Sequence, residues 1–376
     1  MNDSLEKWLR PYSKAMREMA LESDVQGSPS ERFVKDPFFK CLHNINTPPE
    51  YWEGIKLDNG EITYGMLSIE LVMLAEHLSY GDPALYLAMP GPNLAGTIVN
   101  KLGTREQRDQ FFGYYAKNTA WSAFALTEPS TGSDASSIAM EAKKINDAYV
   151  ISGTKRYIGN GGVADWSVVF AKTSKELPSG LGIEAFLLPA GDPLIKQTID
   201  ETLGMKAARL GIIEIDQLVV DATNILGHDR KPLKRGLRSA LELFNHMRPT
   251  TSAIALGLCR AVLDYMTTNF RLNENQKIRI NHFNWELKRG RLLIHKAAHQ
   301  ADSKVFSSPY SAMSKRYFNL LVSKITRECL QMISTEELLD HPLIEKWLRD
   351  ASMIEFMEGT TNILTLEVTN KIVMGR

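Results

Sequence analysis

One carboxylate near the C-terminal end of the sequence is placed where it could act as a catalytic base. Glu358 is followed by a glycine and two threonines, in the segment Phe356-Met357-Glu358-Gly359-Thr360-Thr361-Asn362. Glycine reaches backbone angles that other residues avoid, and the threonines can cap a helix predicted from Ile363 onward, so Glu358 would project from a defined corner. The same short pattern is also typical of a solvated glutamate ahead of a helix cap.

A second motif lies far upstream, in residues 123–134, and reads Ala-Phe-Ala-Leu-Thr-Glu-Pro-Ser-Thr-Gly-Ser-Asp. Together the two segments resemble the acyl-CoA dehydrogenase family. In that family a Thr-Glu-Pro segment opens the flavin-binding β-domain and a Glu-Gly-Thr segment carries the base. Weaker matches lie between and around the two motifs in family order, so the resemblance covers roughly residues 60–376.

The hydrophobic patterns indicate the elements that must position these motifs. Helical spacing predicts helices at residues 67–78, 94–102 and 105–115. Short β-branched or aromatic runs predict strands at residues 148–151, 166–171, 184–188 and 212–220. Long helical patterns return after residue 233, and Pro249 should either kink the first of them or begin a new helix.

An α, β, α order of this kind predicts an α+β protein with three domains. We expect an N-terminal helical domain at 1–118, a central β-domain at 119–230 and a C-terminal helical bundle at 231–376. The resemblance implies more than the pattern itself: an acyl-CoA dehydrogenase-like fold in which the central domain is β-barrel-like and the C-terminal domain is a four-helix bundle.

Composition excludes several classes of function. Lys+Arg and Asp+Glu are both 44, so the formal net charge is zero, and neither a nucleic-acid partner nor a membrane surface is indicated. The three cysteines have no metal-type spacing and fit a reducing compartment. The N-terminus lacks a continuous apolar segment, so we expect a cytoplasmic protein with neither a signal peptide nor a membrane span. His295 and His299 lie one helical turn apart without a third ligand nearby in sequence, so no metal site is predicted.

The chemistry of the two motifs calls for a cofactor. Removing a proton α to a thioester carbonyl requires a carboxylate in a dry pocket, because desolvation raises its basicity. No protein side chain accepts a hydride, so the acceptor must be a bound group, and the resemblance implies FAD. The family places a second possible base on a long helix, but that position is Met247 here, which leaves Glu358 as the predicted catalytic residue. His246 is a less favoured acid–base candidate.

The resemblance also assigns binding residues. The flavin contacts it implies are Phe124, Leu126, Thr127, Ser133, Tyr157, Ile158, Gly159, Arg271, Gln331, Thr360 and Asn362. The substrate contacts it implies are Ser133, Asn245, Arg248 and Met357. Thr127 and Ser133 could instead satisfy backbone groups in a turn, and Asn245 and Arg248 could be ordinary polar helix residues.

Three departures from the family pattern narrow the expected function. Gly159 stands where the family has a threonine, and Met357 precedes the base. Residues Ser334 to Glu337 stand where the family has a Gly-Gly stretch. This stretch follows Gln331, and in relatives the glutamine at that position reaches FAD from a neighbouring subunit. These departures resemble the branch that acts on acyl-carrier-protein thioesters in hybrid peptide and polyketide biosynthesis, including antibiotic pathways with aminomalonyl-type or hydroxymalonyl-type extender units.

The predicted function is therefore an FAD-dependent dehydrogenase for a small acyl thioester, carried by an acyl carrier protein or by CoA. The expected electron acceptor is a separate flavoprotein or oxygen, and the expected assembly is a homodimer or homotetramer. The alternatives are an acyl-CoA dehydrogenase that forms a 2,3-enoyl-CoA, a flavin monooxygenase of the same fold, and a scaffold of this fold without activity.

Overall fold

The computed structural model describes residues 3–174, 181–303 and 309–373 of the chain. Its N-terminal helices are α1 (Asp3–Gln26), α2 (Glu31–Lys35), α3 (Pro37–Lys40), α4 (Ser68–Gly81), α5 (Pro83–Leu87), α6 (Asn93–Leu102) and α7 (Arg105–Tyr115). A short antiparallel hairpin, β1 (Ile55–Lys56) and β2 (Ile62–Thr63), interrupts them. Among these described residues, no helix combines the length and hydropathy needed to cross a membrane.

The central part of the chain forms one curled sheet. Its strands are β3 (Ser122–Ala125), β4 (Glu141–Ile145), β5 (Ala148–Ile158), β6 (Trp166–Lys172), β7 (Ile183–Pro189), β8 (Ile195–Ile199) and β9 (Gly211–Asp221). The strand order is β3-β6-β4-β5-β9-β8, and β7 pairs with the other side of β6. Inside the curl lies an apolar cluster that includes Met140, Ile151, Val169, Phe186 and Ile213. This cluster holds β3, and with it the Thr-Glu-Pro turn, in a fixed place.

The C-terminal part is helical. It contains α8 (Leu237–Asn269), α9 (Glu274–Asp302), α10 (Tyr310–Leu330), α11 (Thr335–Asp340), α12 (Pro342–Ile354) and α13 (Thr361–Val373). Helix α8 is the centre of this region, because it packs against α4, α9, α10 and α12 and buries residues along almost its whole length. The predicted architecture, helical regions on either side of a curled central sheet, is confirmed.

Helix α8 continues through Pro249, so of the two expected alternatives, a kink or a new helix, the new helix is wrong. Proline has no N–H to offer the carbonyl four residues earlier, which is that of Asn245. Ser311 on α10 donates its hydroxyl to this carbonyl at 2.6 Å, and Ser68 on α4 donates to the next carbonyl, that of His246, at 3.0 Å. Ser311 thus supplies the hydrogen bond that the proline removes, and Ser68 adds one at the adjacent carbonyl.

A buried charge cluster joins the three parts of the chain. The Nζ of Lys346 on α12 lies 2.5 Å from Asp82, which precedes α5, and 2.6 Å from Asp350. Asp350 also accepts a hydrogen bond from the backbone N–H of Met205, in the loop between β8 and β9, at 2.6 Å. Removing one member would leave a buried charge without its partner, so the cluster fixes α12 against both the sheet and the N-terminal helices.

Replacing Ser311 with alanine should destabilise the protein by about 1 kcal/mol, because the carbonyl of Asn245 loses its donor inside the bundle. Ser352→Ala is the matched control, since Ser352 is exposed and donates only to the carbonyl of Leu348 within its own helix. Thermal or urea unfolding should show a clear loss in the first variant and a change near zero in the second. Equal losses would contradict the role given to Ser311.

Candidate functional site

The candidate base lies in a strained hinge between two helices. Helix α12 ends at Ile354 and α13 begins at Thr361, and in the hinge Glu358 has a φ of +53° and Gly359 a φ of +118°. A left-handed conformation at a residue other than glycine costs on the order of 1–3 kcal/mol, so the surroundings must hold it in place. A Cβ on Gly359 would lie 3.3 Å from the Leu364 side chain, which leaves little room for a larger residue.

Two groups hold the hinge from opposite sides. Arg248 on α8 donates from Nε to the backbone carbonyl of Glu358 at 3.0 Å and from Nη1 to Glu367 on α13 at 2.6 Å. Glu355, just after α12, accepts hydrogen bonds from the N–H and the hydroxyl of Thr361, both at 2.7 Å. The resemblance implies that Arg248 contacts the substrate or orients the base, and the structure places its guanidinium on the backbone of Glu358 rather than on its carboxylate.

The carboxylate of Glu358 is withdrawn from water and incompletely paired. Its Oε2 is buried and has no hydrogen-bond partner among the described residues. Burial raises the pKa of Glu358 to about 7, and Thr251, Arg248 and Lys315 act against that rise. A carboxylate with a pKa near neutrality can take up a proton and release it again at physiological pH, as a general base must.

The Thr-Glu-Pro turn is anchored by a buried ion pair that sequence reasoning missed. The Nζ of Lys155 on β5 lies 2.7 Å from Glu128 and donates to the carbonyl of Leu126 at 3.0 Å. Glu128 in turn accepts the backbone N–H groups of Ala139 at 2.5 Å and Met140 at 2.9 Å. The sequence signal for this pair is weak. It consists of one lysine and one glutamate, each in a segment that is otherwise apolar or turn-forming, where a charged side chain needs a partner. The pair fixes Leu126 and the neighbouring Thr127.

The predicted flavin contacts on the sheet come together. Arg156 donates its backbone N–H to the carbonyl of Thr127 at 3.0 Å, so Tyr157, Ile158 and Gly159 follow directly beside the Thr-Glu-Pro turn. Phe124 on β3 faces Phe244 on α8, with ring centroids 5.9 Å apart, which brings the turn near the helix that holds Arg248. Ser133 is exposed, further along the same loop.

Helix α5 connects this sheet segment with the base. Burial, and after it the charge of the neighbouring Glu358 carboxylate, raises the pKa of the Tyr86 phenol on α5. The next residue, Leu87, accepts a hydrogen bond from the side chain of Asn160 at 3.1 Å, and Asn160 directly follows Gly159. The two motifs, more than 200 residues apart in the sequence, therefore meet in one region of the molecule.

The other predicted residues fall in two places. Thr360, Asn362, Met357 and Asn245 lie in or beside the hinge region. Arg271 and Gln331 are exposed residues that follow α8 and α10, at an end of the bundle about 30 Å from Arg248 along α8. On a single chain these two residues are remote from the base, and their role in FAD binding stays a prediction.

The residues at the meeting point fit a flat aromatic cofactor. A Cβ built on Gly159 meets nothing within 4 Å, so the space where the family has a threonine side chain is open. Beside it, the Tyr157 ring is 51 % exposed with a φ of +62°, and the Oε2 of Glu358 has no partner. A flavin and its substrate could bind here, because the region combines an open surface, an exposed aromatic side chain and a carboxylate oxygen without a hydrogen-bond partner in the described part of the chain.

Comparison with known proteins gives consistent matches. The family model "acyl-CoA dehydrogenase, middle domain" matches residues 123–218, and the model "acyl-CoA dehydrogenase, C-terminal domain" matches residues 234–373. The chain is 30 % identical over 331 residues to the mitochondrial short-chain specific acyl-CoA dehydrogenase of Bos taurus, covering 83 % of this chain and 74 % of that protein.

Two solved structures share the fold. A glutaryl-CoA dehydrogenase from Mycobacterium smegmatis in complex with FADH2 has a TM-score of 0.82 at 20 % identity, covering 99 % of this chain and 95 % of that one. The prolyl acyl carrier protein oxidase AnaB has a TM-score of 0.81 at 21 % identity, covering 98 % of this chain and 99 % of that one. At these identities, the likeness concerns the fold alone.

The raised pKa of Glu358 predicts how its replacement affects stability. The carboxyl of Glu358 has a pKa of about 7 in the folded state and of 4.5 in the unfolded state. Its contribution to the free energy of unfolding is therefore complete below pH 4.5 and is lost as the pH rises through about 7. Glu358→Gln stays neutral and should be more stable than wild type at pH 8, by about 1–3 kcal/mol, with little difference at pH 4.5. Urea unfolding at both pH values measures the difference in free energy of unfolding between the variant and wild type. A difference that does not change with pH would show that the carboxylate is not desolvated.

Proposed function

This chain belongs to the acyl-CoA dehydrogenase family, and from that membership we propose that it oxidises a small acyl thioester tethered to an acyl carrier protein. Proteins of this family are FAD-dependent oxidoreductases that act on the CH–CH bond of acyl thioesters. The proposed pathway makes an extender unit of the aminomalonyl type for peptide or polyketide biosynthesis. The observation that carries the proposal is the buried carboxylate of Glu358, whose Oε2 has no hydrogen-bond partner among the described residues, in the region where the Thr-Glu-Pro segment meets the hinge.

Glu358 is proposed to take the proton α to the thioester carbonyl. Its pKa of about 7 gives it a useful fraction of the ionised form at neutral pH and a basicity well above that of a solvated carboxylate. The free Oε2 is the atom available for the proton. The flavin, when bound, supplies the hydride acceptor that no side chain can provide.

The surrounding residues hold the base and keep water out. Arg248 fixes the backbone of Glu358, while its charge is shared with Glu367, so the base is oriented without being locked in an ion pair. Thr251 favours the ionised form by hydrogen bonding, which lowers the pKa of Glu358. Phe124, Leu126 and Thr127, fixed by the ion pair of Glu128 with Lys155, are proposed to form the wall on which the flavin rests.

The carrier protein is supported by two kinds of observation. The prolyl acyl carrier protein oxidase AnaB, whose name states a carrier-bound substrate, shares the fold over nearly the whole of both chains. This chain also departs from the family pattern at two places. The space beside Gly159 is open, and Ser334 to Glu337 form a capping box with exposed acidic residues at the start of α11.

We further propose that Arg271 and Gln331 reach the cofactor of a neighbouring copy in a homodimer or homotetramer, and that a flavoprotein or oxygen accepts the electrons.

Glu358→Gln should keep the yellow flavin bound but slow its reduction by substrate by about 10²–10⁴-fold, because the amide cannot accept the α-proton. Anaerobic stopped-flow bleaching of the flavin measures the rate. Glu345→Gln is the matched control, since Glu345 lies on α12 and pairs with Arg349 away from the hinge. Unchanged reduction in Glu358→Gln would end the assignment of the base.

The carrier is tested by comparing matched acyl groups on CoA and on an acyl carrier protein. The carrier-bound thioesters should bleach the flavin, and their CoA counterparts should react at least tenfold more slowly in kcat/KM. Bleaching by CoA thioesters alone, with an enoyl-CoA product, would instead identify an acyl-CoA dehydrogenase. An oxygenated product in the presence of oxygen would identify a monooxygenase.

A further inference from the structure

A lysine that the proposed chemistry does not use lies next to the hinge of the base. Lys315 on α10 is fully buried, with 0 % of its surface exposed. Other buried lysines are neutralised by direct contact: Lys155 pairs with Glu128, and Lys346 with Asp82 and Asp350. Among the described residues, no carboxylate lies within ion-pair distance of the Lys315 ammonium. Because an unpaired buried charge is expensive, its position calls for an explanation.

The ammonium of Lys315 holds the end of the helix before the base. Its Nζ donates to the carbonyl of Ile354, the last residue of α12, at 2.8 Å, and to the side chain of Asn319 one turn further along α10. The C-terminal end of a helix carries a partial negative charge from its free carbonyls, which favours a cation there. Lys315 therefore fixes the point at which the chain leaves α12.

Asn319 extends the same contact to the helix after the base. Its amide donates to the hydroxyl of Thr361, the first residue of α13, at 3.4 Å. Thr361 is also bound by Glu355 on the near side of the hinge. Lys315 and Asn319 thus touch both ends of the segment that contains Glu358, and a change in the lysine would reach the base from both sides.

Lys315 also acts on Glu358 through its charge. Burial lowers the pKa of Lys315 to about 7, and the charges of Glu358 and Glu355 oppose this shift, whereas that of Arg248 adds to it. In return, Lys315 is one of the groups that oppose the rise in the pKa of Glu358. Another titratable neighbour of the base among the described residues is Tyr86 on α5, a phenol that is neutral at physiological pH and whose pKa burial raises further.

We propose that Lys315 is a positioning residue: its buried ammonium fixes both ends of the hinge and favours the ionised form of the Glu358 carboxylate. The inference rests on the proposed function in that Glu358 is taken to be the base. Once the base has taken a proton, the two groups no longer attract each other. The lysine then favours the return of Glu358 to the ionised form for the next turnover.

The test follows the ionisation of Glu358 directly, by infrared difference spectroscopy of the flavin-loaded protein between pH 5 and pH 9. The carboxyl band that disappears in Glu358→Gln belongs to the base. In Lys315→Met and Lys315→Gln, the midpoint of this band should move upward by about one pH unit, a tenfold change in the ionisation constant. Lys315→Gln keeps an N–H donor, so it separates the effect of charge from that of hydrogen bonding.

Lys346→Met is the matched control, because it removes another buried lysine, one whose carboxylate partners are Asp82 and Asp350 and which contacts neither Ile354 nor Asn319. It should lower the melting temperature without moving the midpoint. An unchanged midpoint in both Lys315 variants would overturn the proposal, as would an equal shift in Lys346→Met.

A reciprocal measurement does not depend on the folding of any Lys315 variant. If the two groups are coupled, removing the carboxylate in Glu358→Gln must lower the pKa of Lys315 by the same amount. NMR of the lysine ε-methylene groups in isotope-labelled protein reports this pKa, and an unshifted Lys315 signal would overturn the proposal.

The substrate assay separates this inference from the proposed function. With a reactive thioester, Lys315→Met should reduce the flavin about fivefold more slowly than wild type at pH 7, because a one-unit rise in the pKa of Glu358 lowers its ionised fraction by that factor, and should approach the wild-type rate at pH 9. If no thioester reduces the wild-type flavin but the midpoint still shifts, the proposed function fails and the coupling stands. If wild type reacts and the variant keeps its pH profile, the coupling fails alone.

Discussion

Desolvation of the Glu358 carboxylate is the constraint on which the rest of the structure depends. A solvated glutamate has too low a pKa to remove a proton from carbon, and burial raises the pKa of this one to about 7. Burial also removes the water that would otherwise stabilise the charge, so the protein must provide a limited substitute. Thr251, Arg248 and Lys315 provide it without a direct ion pair, and one carboxylate oxygen stays free.

Two other buried lysines, Lys346 and Lys155, are treated in the opposite way. Lys346 with its two aspartates and Lys155 with Glu128 are complete pairs that join separate elements, and both serve as rigid attachments for the site. The first fixes α12, which leads into the hinge, and the second fixes the Thr-Glu-Pro turn. Complete pairing gives rigidity, whereas incomplete pairing at Glu358 leaves the charge available for reaction.

Much of the fold could be predicted because its signals are local. Helix α7 has the bounds expected from helical spacing, and β6 extends the predicted run by a single residue. Strand β5 was predicted only as far as Ile151 but continues to Ile158. Gly153 and the polar residues after it are not typical of a strand, so the sequence pattern does not predict this second half. Its strand conformation depends on pairing with β9 and on the burial of Lys155. Pro249, an expected breaking point, is accommodated because Ser311 and Ser68 come from distant parts of the chain.

The sequence by itself determined the family and the two motifs that carry the resemblance, and it predicted Glu358 as the base, because each of these depends on residue types at short spacing. Tertiary structure alone decided that Arg248 binds the backbone of the base, that Glu128 pairs with Lys155, and that Lys315 lies behind the hinge. These contacts join residues 27 to 110 positions apart, and the pKa of a buried group depends on all of its neighbours in space. A local sequence pattern cannot predict such neighbours, because they lie far apart along the chain and only folding brings them together.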